Sequence, residues 1–279
     1  MVVLRIEDLD GPRIKAEATN QTIDILQWLG LDWDGPILTQ SDDLSAYESA
    51  MEYLASRGLV YQCDLTRRQI EAAASAPHES TGERRYPPEW RPADPTRYRF
   101  DRTQTNYRLT VDAGSLVIHD EVLGPVAVDP GREVGDFVVW TKRGTPSYQL
   151  AVVVDDIRQG VTQVVRGQDL LTSAGRQALL YRAFEAPQPR WWHLPLVLGP
   201  DGRRLAKRHG DSRLATYRHA GVPAERVIAL IAKWSGIPDA GDTLSASEFA
   251  CQFDQDTLPT DPVVMTEEDH LWLLAAAQR

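Results

Sequence analysis

Cysteine is nearly missing: Cys63 and Cys251 are the only two in 279 residues, and they lie far apart. That excludes a disulfide framework and suits a reducing compartment. Long apolar runs are missing too. No stretch approaches the ~20 residues that a membrane helix needs, and the first residues lack a signal-peptide pattern, so the chain reads as cytoplasmic, with no membrane partner. Repeats and low-complexity segments are likewise absent, which excludes a solenoid. What is present is the composition of a soluble enzyme, 42% hydrophobic and 25% charged, long enough for one large domain or two around a sizeable core.

A net charge of -10 argues at first against an RNA partner, because polyanions are bound through Lys and Arg. The distribution modifies this. Residues 237–279 hold nine acids and one base, whereas 200–219 hold six bases against two acids. Between 64 and 108, nine arginines against seven acids are interleaved with Tyr86, Trp90, Tyr98, Phe100 and Tyr107. Arginine beside aromatic rings suits phosphates and unstacked bases; a solvated mixed-charge insertion has the same composition.

Periodicity alternates strand and helix. Val2 to Ile6 reads as a short buried strand, and Ile14 to Leu29 as a helix stopped by Gly30. Ser45 and Glu48 have capping-box spacing ahead of a stripe of Tyr47, Ala50, Met51 and Leu54. Gly58 ends that helix before a strand at Leu59 to Tyr61. A third helix opens at Thr66 with Gln69 as its reciprocal cap. Pro77 to Arg97 reads as irregular, followed by hairpin-like strands at Tyr107 to Val111, Leu116 to Ile118 and Val126 to Val128. The core resumes at Asp136 to Trp140. Leu150 to Val154 is too short and too uniformly apolar to assign, Val161 to Val165 is a buried strand, and a helix runs from Ser173 to Phe184. Pro223 opens an amphipathic helix carrying Val227, Leu230, Ile231 and Trp234 on one face, with Gly236 beyond its end. After that the signals weaken.

Three places carry chemistry. Glu7 falls at the carboxyl end of a strand, where open α/β sheets place ligand groups; it can receive an ammonium there, or simply pair with Arg5 or Arg13. Arg166 ends an apolar strand and offers a planar fork that grips a carboxylate with two hydrogen bonds, although an arginine so placed is often plain surface. Lys207 follows a Pro200-Asp201-Gly202 turn signal on a basic loop, able to hold an ammonium against a triphosphate or to sit as a solvated hairpin tip.

Their company decides between these readings. Arg5-Ile6-Glu7-Asp8 near the start, Tyr148 to Asp156 with Gly160 to Gly167 in the middle, and Arg204 to Arg208 later resemble, in that order, the class I glutamyl-tRNA synthetase family. The match spans positions 4 to about 215. The resemblance implies an α/β fold: a class I Rossmann-like nucleotide-binding core, an inserted acceptor-binding-like region and a small helical C-terminal part. The expected divisions are 1–62 for the first part of the core, 63–135 for the insertion, 136–214 for the second half with a KMSKS-like loop, and 215–279 for the helical end. By the same resemblance Glu7, Tyr148 and Arg166 bind glutamate. It likewise implies that Lys207 is catalytic and that Lys207 and Arg208 bind ATP, which comes with Mg2+.

The pattern also departs from the family. Ala206 and Arg208 replace hydroxyl residues of the KMSKS loop, while its lysine survives. The strand, arginine loop and HIGH helix that precede the RIED segment in the family are not in this sequence, and none of the six histidines is placed to substitute. The stated start is expected to be too late, the alternative being a non-catalytic RNA or amino-acid binding relative. Within the family the short glutamyl-Q tRNA(Asp) synthetases resemble the chain most, since 72 residues follow Lys207, too few for the large anticodon-binding region of the full enzymes. The implied partners are L-glutamate, ATP and tRNA(Asp) carrying queuosine, acted on by a monomer; a glutamyl-tRNA synthetase fragment charging a 3′ end is the other enzyme reading. Members of this branch often hold zinc through a Cys-x-Cys pair, a tyrosine and a later cysteine. Here Cys63 and Tyr86 remain while Leu65 and Trp90 cannot ligate. With His78, Glu79 or Glu83 the only recruits, an apolar cluster without metal is expected.

Overall fold

The computed structural model describes residues 1–9, 16–65, 69, 85–102, 105–112, 114–203, 205, 214–237 and 239–278. Two compact units emerge, one of Arg5–Gly11 with Leu38–His193, the other of Met1–Leu4, Pro12–Ile37 and Leu194–Arg279. Among the described residues no helix is long and apolar enough to cross a membrane.

In the first unit, strand Arg5–Ile6 pairs in parallel with Leu38–Thr39. A four-stranded antiparallel sheet runs through Val60–Cys63, Asn106–Leu109, Phe137–Thr141 and Thr145–Pro146. A second sheet has the order Gly124–Val128, Leu116–Asp120, Arg190–Leu194, Gln163–Gly167. The expected hairpin is Leu116–Asp120 with Gly124–Val128. Asn106–Leu109 does not belong to it; it lies between Val60–Cys63 and Phe137–Thr141. The Val161 to Val165 strand begins later, at Gln163, and Val165 is exposed. It is an edge strand, and an edge strand need not be apolar throughout.

The ambiguous apolar run is helical. Ser147 caps the helix Tyr148–Gln159 by accepting from the Leu150 N–H, Gly160 closes it at φ 65°, and every residue from Gln149 to Asp156 is buried. A helix apolar on all sides has no period to read. It packs against Ser45–Ser56 and Leu171–Ala183. Tyr47, Met51, Leu54, Leu150, Val153, Leu180 and Tyr181 join one core, each buried aliphatic stabilising by about 1.5–3 kcal/mol. The Ser45–Glu48 capping box is not formed: Leu44 is the N-cap residue and no side chain caps it. Asp43 accepts from the Ser45 N–H, and Glu48 pairs with Arg102 at 2.7 Å.

The insertion is tied to the antiparallel sheet by buried Asp136, which accepts from Tyr61, Arg91 and the Val111 N–H. Gly135, at φ 70°, lets the chain pass here. A Cβ there would lie 2.6 Å from the Tyr86 carbonyl oxygen. Gly135→Ala is expected to lower stability by roughly 2–4 kcal/mol, read as a lower urea midpoint at unchanged slope; an unmoved midpoint would refute the crowding.

In the second unit, the helix Ala16–Trp28 matches its expected span beyond residues 10–15, which lie outside the description. Pro223 is the N-cap of Ala224–Trp234 rather than its first residue. Val227 and Leu230 are buried as expected, with Leu29, Met265 and Leu273 in the same cluster. Where the sequence signals weaken, two more helices form, Ala246–Gln252 and Glu267–Leu274. Each starts with a complete capping box, Ser245 with Glu248 and Thr266 with Asp269. Both were legible as S/T-x-x-D/E spacings. The third helix, expected from Thr66, lies outside the described residues apart from Gln69, which is helical.

Candidate active site

The site is built around two adjacent carboxylates. Asp155 and Asp156 sit near the end of the helix Tyr148–Gln159, both buried. Buried carboxylates need donors. Asp155 takes one from Gln40 and one from Tyr47, both at 2.8 Å. Asp156 accepts from Tyr181 at 3.2 Å and pairs with Arg5 at 2.9 Å. Arg5 also donates to Gln159 at 2.8 Å and to Glu7 Oε1 through Nε at 3.2 Å and Nη2 at 3.0 Å. The Asp156 and Glu7 charges and hydrogen bonds outweigh burial and raise the pKa of Arg5. Glu7 thus makes the ion pair with Arg5 that the sequence allowed. The same pair orients its carboxylate, which stays partly open.

Glu7 and Tyr148 line one cavity of about 450 Å3, with Gln40, Val138, Arg143 and Ser147 among its walls. Burial, then the charge of Glu7, raises the Tyr148 hydroxyl, while Arg166 pulls it down. So the phenol feels both charged groups.

Arg166 ends the strand Gln163–Gly167. Burial lowers its pKa, with Tyr148, Asp156 and Tyr181 opposing; a guanidinium stays charged even so. Its Nε donates to His193 Nε2 at 3.0 Å, and its Nη1 donates to Gln177 Oε1 at 2.8 Å. Its Cζ lies 4.9 Å from the centre of the Trp191 ring, within cation–π range. Nη2 is buried and has no hydrogen-bond partner among the described residues. A buried charged donor without an acceptor is costly, and a carboxylate ligand would supply what is missing.

Behind Arg166 lies His193, wholly buried, with Nδ1 2.6 Å from Asp120 Oδ2. The Asp120 carboxyl is held below its usual range: burial would raise it, but the Leu123 N–H, His193 and the Val122 N–H together outweigh burial. An ionised carboxylate only accepts, so Nδ1 carries the proton and Nε2 is left as an acceptor. Burial first lowers the His193 pKa; Asp120 opposes and the Arg166 charge adds to the lowering.

Three of the sequence-derived residues, Glu7, Tyr148 and Arg166, therefore come together in the first unit. Lys207 and Arg208 lie outside the described residues. The loop that leads to them is visible: Gly199 N–H bonds Arg203 O at 2.8 Å, and Gly202, at φ 70°, makes the turn after Asp201. Arg5, Asp155 and Asp156 stood in the resembling motifs without assigned roles. Gln177, His193 and Asp120 were missed. For His193 a signal existed, since it shares the buried face of Arg190–Leu194 with Trp191; Asp120 offered none.

At the degenerate zinc positions, Cys63 Sγ lies 3.5 Å from the Tyr86 hydroxyl, and Tyr86 meets Trp90 edge to face at 5.7 Å. Leu65 and Tyr98 pack on the same cluster with Tyr61. Among the described residues no group of three or more His, Cys, Asp or Glu is placed to hold a metal; His78, Glu79 and Glu83 fall outside them. After chelator-free purification the protein is expected to contain far less than one zinc per chain by elemental analysis. A stoichiometric zinc lost with Cys63→Ser would overturn this.

Compared with known proteins, residues 1–271 match the catalytic domain of tRNA synthetases class I (E and Q). A glutamyl-Q tRNA(Asp) synthetase of Rhodopirellula baltica is 44% identical over 259 residues, covering 88% of this chain and 78% of the relative. One from Symbiobacterium thermophilum is 42% identical, covering 95% and 86%. A glutamate–tRNA ligase of Cereibacter sphaeroides is 39% identical over 84% of this chain, which spans 50% of that protein. Among solved structures, a glutamate tRNA ligase from Elizabethkingia meningosepticum superposes with a TM-score of 0.77 at 23% identity, over 97% of this chain and 61% of that one.

Proposed function

Because the chain belongs to the class I tRNA synthetases of the glutamate and glutamine branch, we propose that it activates L-glutamate with ATP and transfers it to the queuosine base of tRNA(Asp). The observation that carries the reading is the buried Arg166 Nη2, which has no acceptor among the described residues, on a guanidinium that interacts with Tyr148, itself beside the Glu7 charge. Glutamate carries one ammonium and two carboxylates. Glu7 suits the ammonium, with Arg5 fixing its carboxylate, and Arg166 with Tyr148 suits the side-chain carboxylate. The relatives named for this activity, matched over most of their length, support the same acceptor.

In the first step a glutamate α-carboxylate oxygen attacks the α-phosphorus of ATP, forming glutamyl-adenylate and releasing pyrophosphate. Negative charge builds on the phosphate oxygens as this happens. Lys207 and Arg208 are the proposed countercharges, and fixed charge at such a point stabilises the transition state. Mg2+, entering with the nucleotide, would supply further countercharge to its phosphates. In the second step a hydroxyl of the queuosine cyclopentenediol attacks the activated carbonyl. The bond from the carbonyl carbon to the phosphate oxygen breaks as the ester forms, the hydroxyl proton passes to the departing phosphate, and AMP leaves.

The test uses the full-length encoded protein and measures exchange of pyrophosphate into ATP. The reading requires exchange that depends on glutamate, with aspartate and glutamine far weaker. Exchange with none of the three would overturn it and favour a binding protein.

A further inference from the structure

The Arg166 guanidinium is held by three groups, none of which lines the Glu7–Tyr148 cavity. His193 Nε2 accepts from Nε at 3.0 Å, Gln177 Oε1 accepts from Nη1 at 2.8 Å, and the Trp191 ring covers one face at 4.9 Å. His193 is itself fixed. Asp120 Oδ2 accepts from His193 Nδ1–H at 2.6 Å and from the His193 backbone N–H at 3.1 Å. Its ring stacks on Trp191, with centroids 6.3 Å apart and planes 20° from parallel. Gln177 is 1% exposed, and its amide cannot be reversed without turning an NH2 against the guanidinium.

Two grips on a planar ion fix both its position and its rotation. One alone would leave the fork free to swing about a single hydrogen bond. With Nε and Nη1 occupied, Nη2 is buried without an acceptor among the described residues, and the Tyr148 hydroxyl is the site group that interacts with the guanidinium. Resting on the functional reading above, we propose that His193, set by Asp120, and Gln177 are positioning residues that hold Arg166 so that Nη2 meets the side-chain carboxylate of glutamate. Neither touches substrate. They therefore tune selection of the amino acid and leave the phosphoryl chemistry alone.

The geometry dictates a particular kinetic signature. His193→Phe keeps a planar ring against Trp191 and removes the acceptor. It is expected to raise KM for glutamate about tenfold or more, the loss of a hydrogen bond to a charged group, with kcat and KM for ATP within about twofold. His193→Gln, whose amide oxygen can accept from Nε, should recover much of that loss. A merely structural role would instead lower kcat and raise both KM values together, without rescue. Should His193→Phe melt early, Gln177→Leu tests the grip from the other side, with the same rise in KM for glutamate expected.

An unchanged KM for glutamate in either folded variant, beside a wild type that shows glutamate-dependent exchange, overturns the positioning role and leaves the function standing. A wild type without glutamate-dependent exchange overturns the function and this inference with it.

Discussion

Glutamate is expected to be transferred to tRNA(Asp) carrying queuosine and not to the same tRNA carrying unmodified guanine, a contrast bounded only by assay background. Guanine has no cyclopentenediol, so it offers no hydroxyl at which the ester can form. The 3′-terminal adenosine is the competing nucleophile, and a tRNA ending in 2′,3′-dideoxyadenosine separates the two. Transfer should survive that ending. The charge pattern points the same way: residues 237–279, with nine acids and one base, repel phosphate, which leaves the arginine-rich 64–108 segment and the rim of the core as the main candidates for RNA contact. Transfer to tRNA(Glu) that requires a free 3′ end would establish the glutamyl-tRNA synthetase reading instead, and RNA binding without transfer would favour the non-catalytic binding relative.

Lys207→Ala is expected to slow glutamate-dependent pyrophosphate exchange by about 10²-fold or more, with most of the loss in kcat. An ammonium aimed at developing charge acts more strongly on the transition state than on bound substrate. Arg208 adjoins it but carries a delocalised, forked charge and cannot replace a point ammonium. Lys207→Arg should therefore recover only part of the rate. Exchange that is unchanged in Lys207→Ala would remove the residue from the mechanism.

The contrast between Arg166 and His193 explains how much of the site was legible beforehand. Arg166 lies in a contiguous stretch, Val164-Val165-Arg166-Gly167, whose order with Tyr148 and Glu7 resembles a family pattern. His193 reaches Arg166 from 27 residues away and Asp120 reaches His193 from 73. Those contacts exist only because three strands of one sheet stand side by side, and no local pattern encodes such a neighbour. The helix Tyr148–Gln159 teaches the same lesson about secondary structure: it is buried on every side at Leu150 to Asp156, so its sequence lost the period that would have marked it. The helices at Ala246 and Glu267 are the opposite case, since their capping boxes are written locally, three residues apart in the sequence.

The sequence by itself determined the family through three ordered motifs, the reach of the helices Ala16–Trp28 and Ser45–Ser56 through spacing and glycine stops, and the places where Glu7, Tyr148 and Arg166 stand. Local chemistry suffices for these, because caps, turns and short motifs act over a few residues. Only the tertiary structure decided that Arg5 orients Glu7, that Asp155 and Asp156 are buried yet satisfied, and that Arg166 is gripped at Nε and Nη1 with Nη2 left over. Each of these depends on which distant donor or acceptor a buried charge finds, and burial makes that partner matter: in water the same groups would be satisfied by solvent, whereas inside the protein an unmatched one is costly.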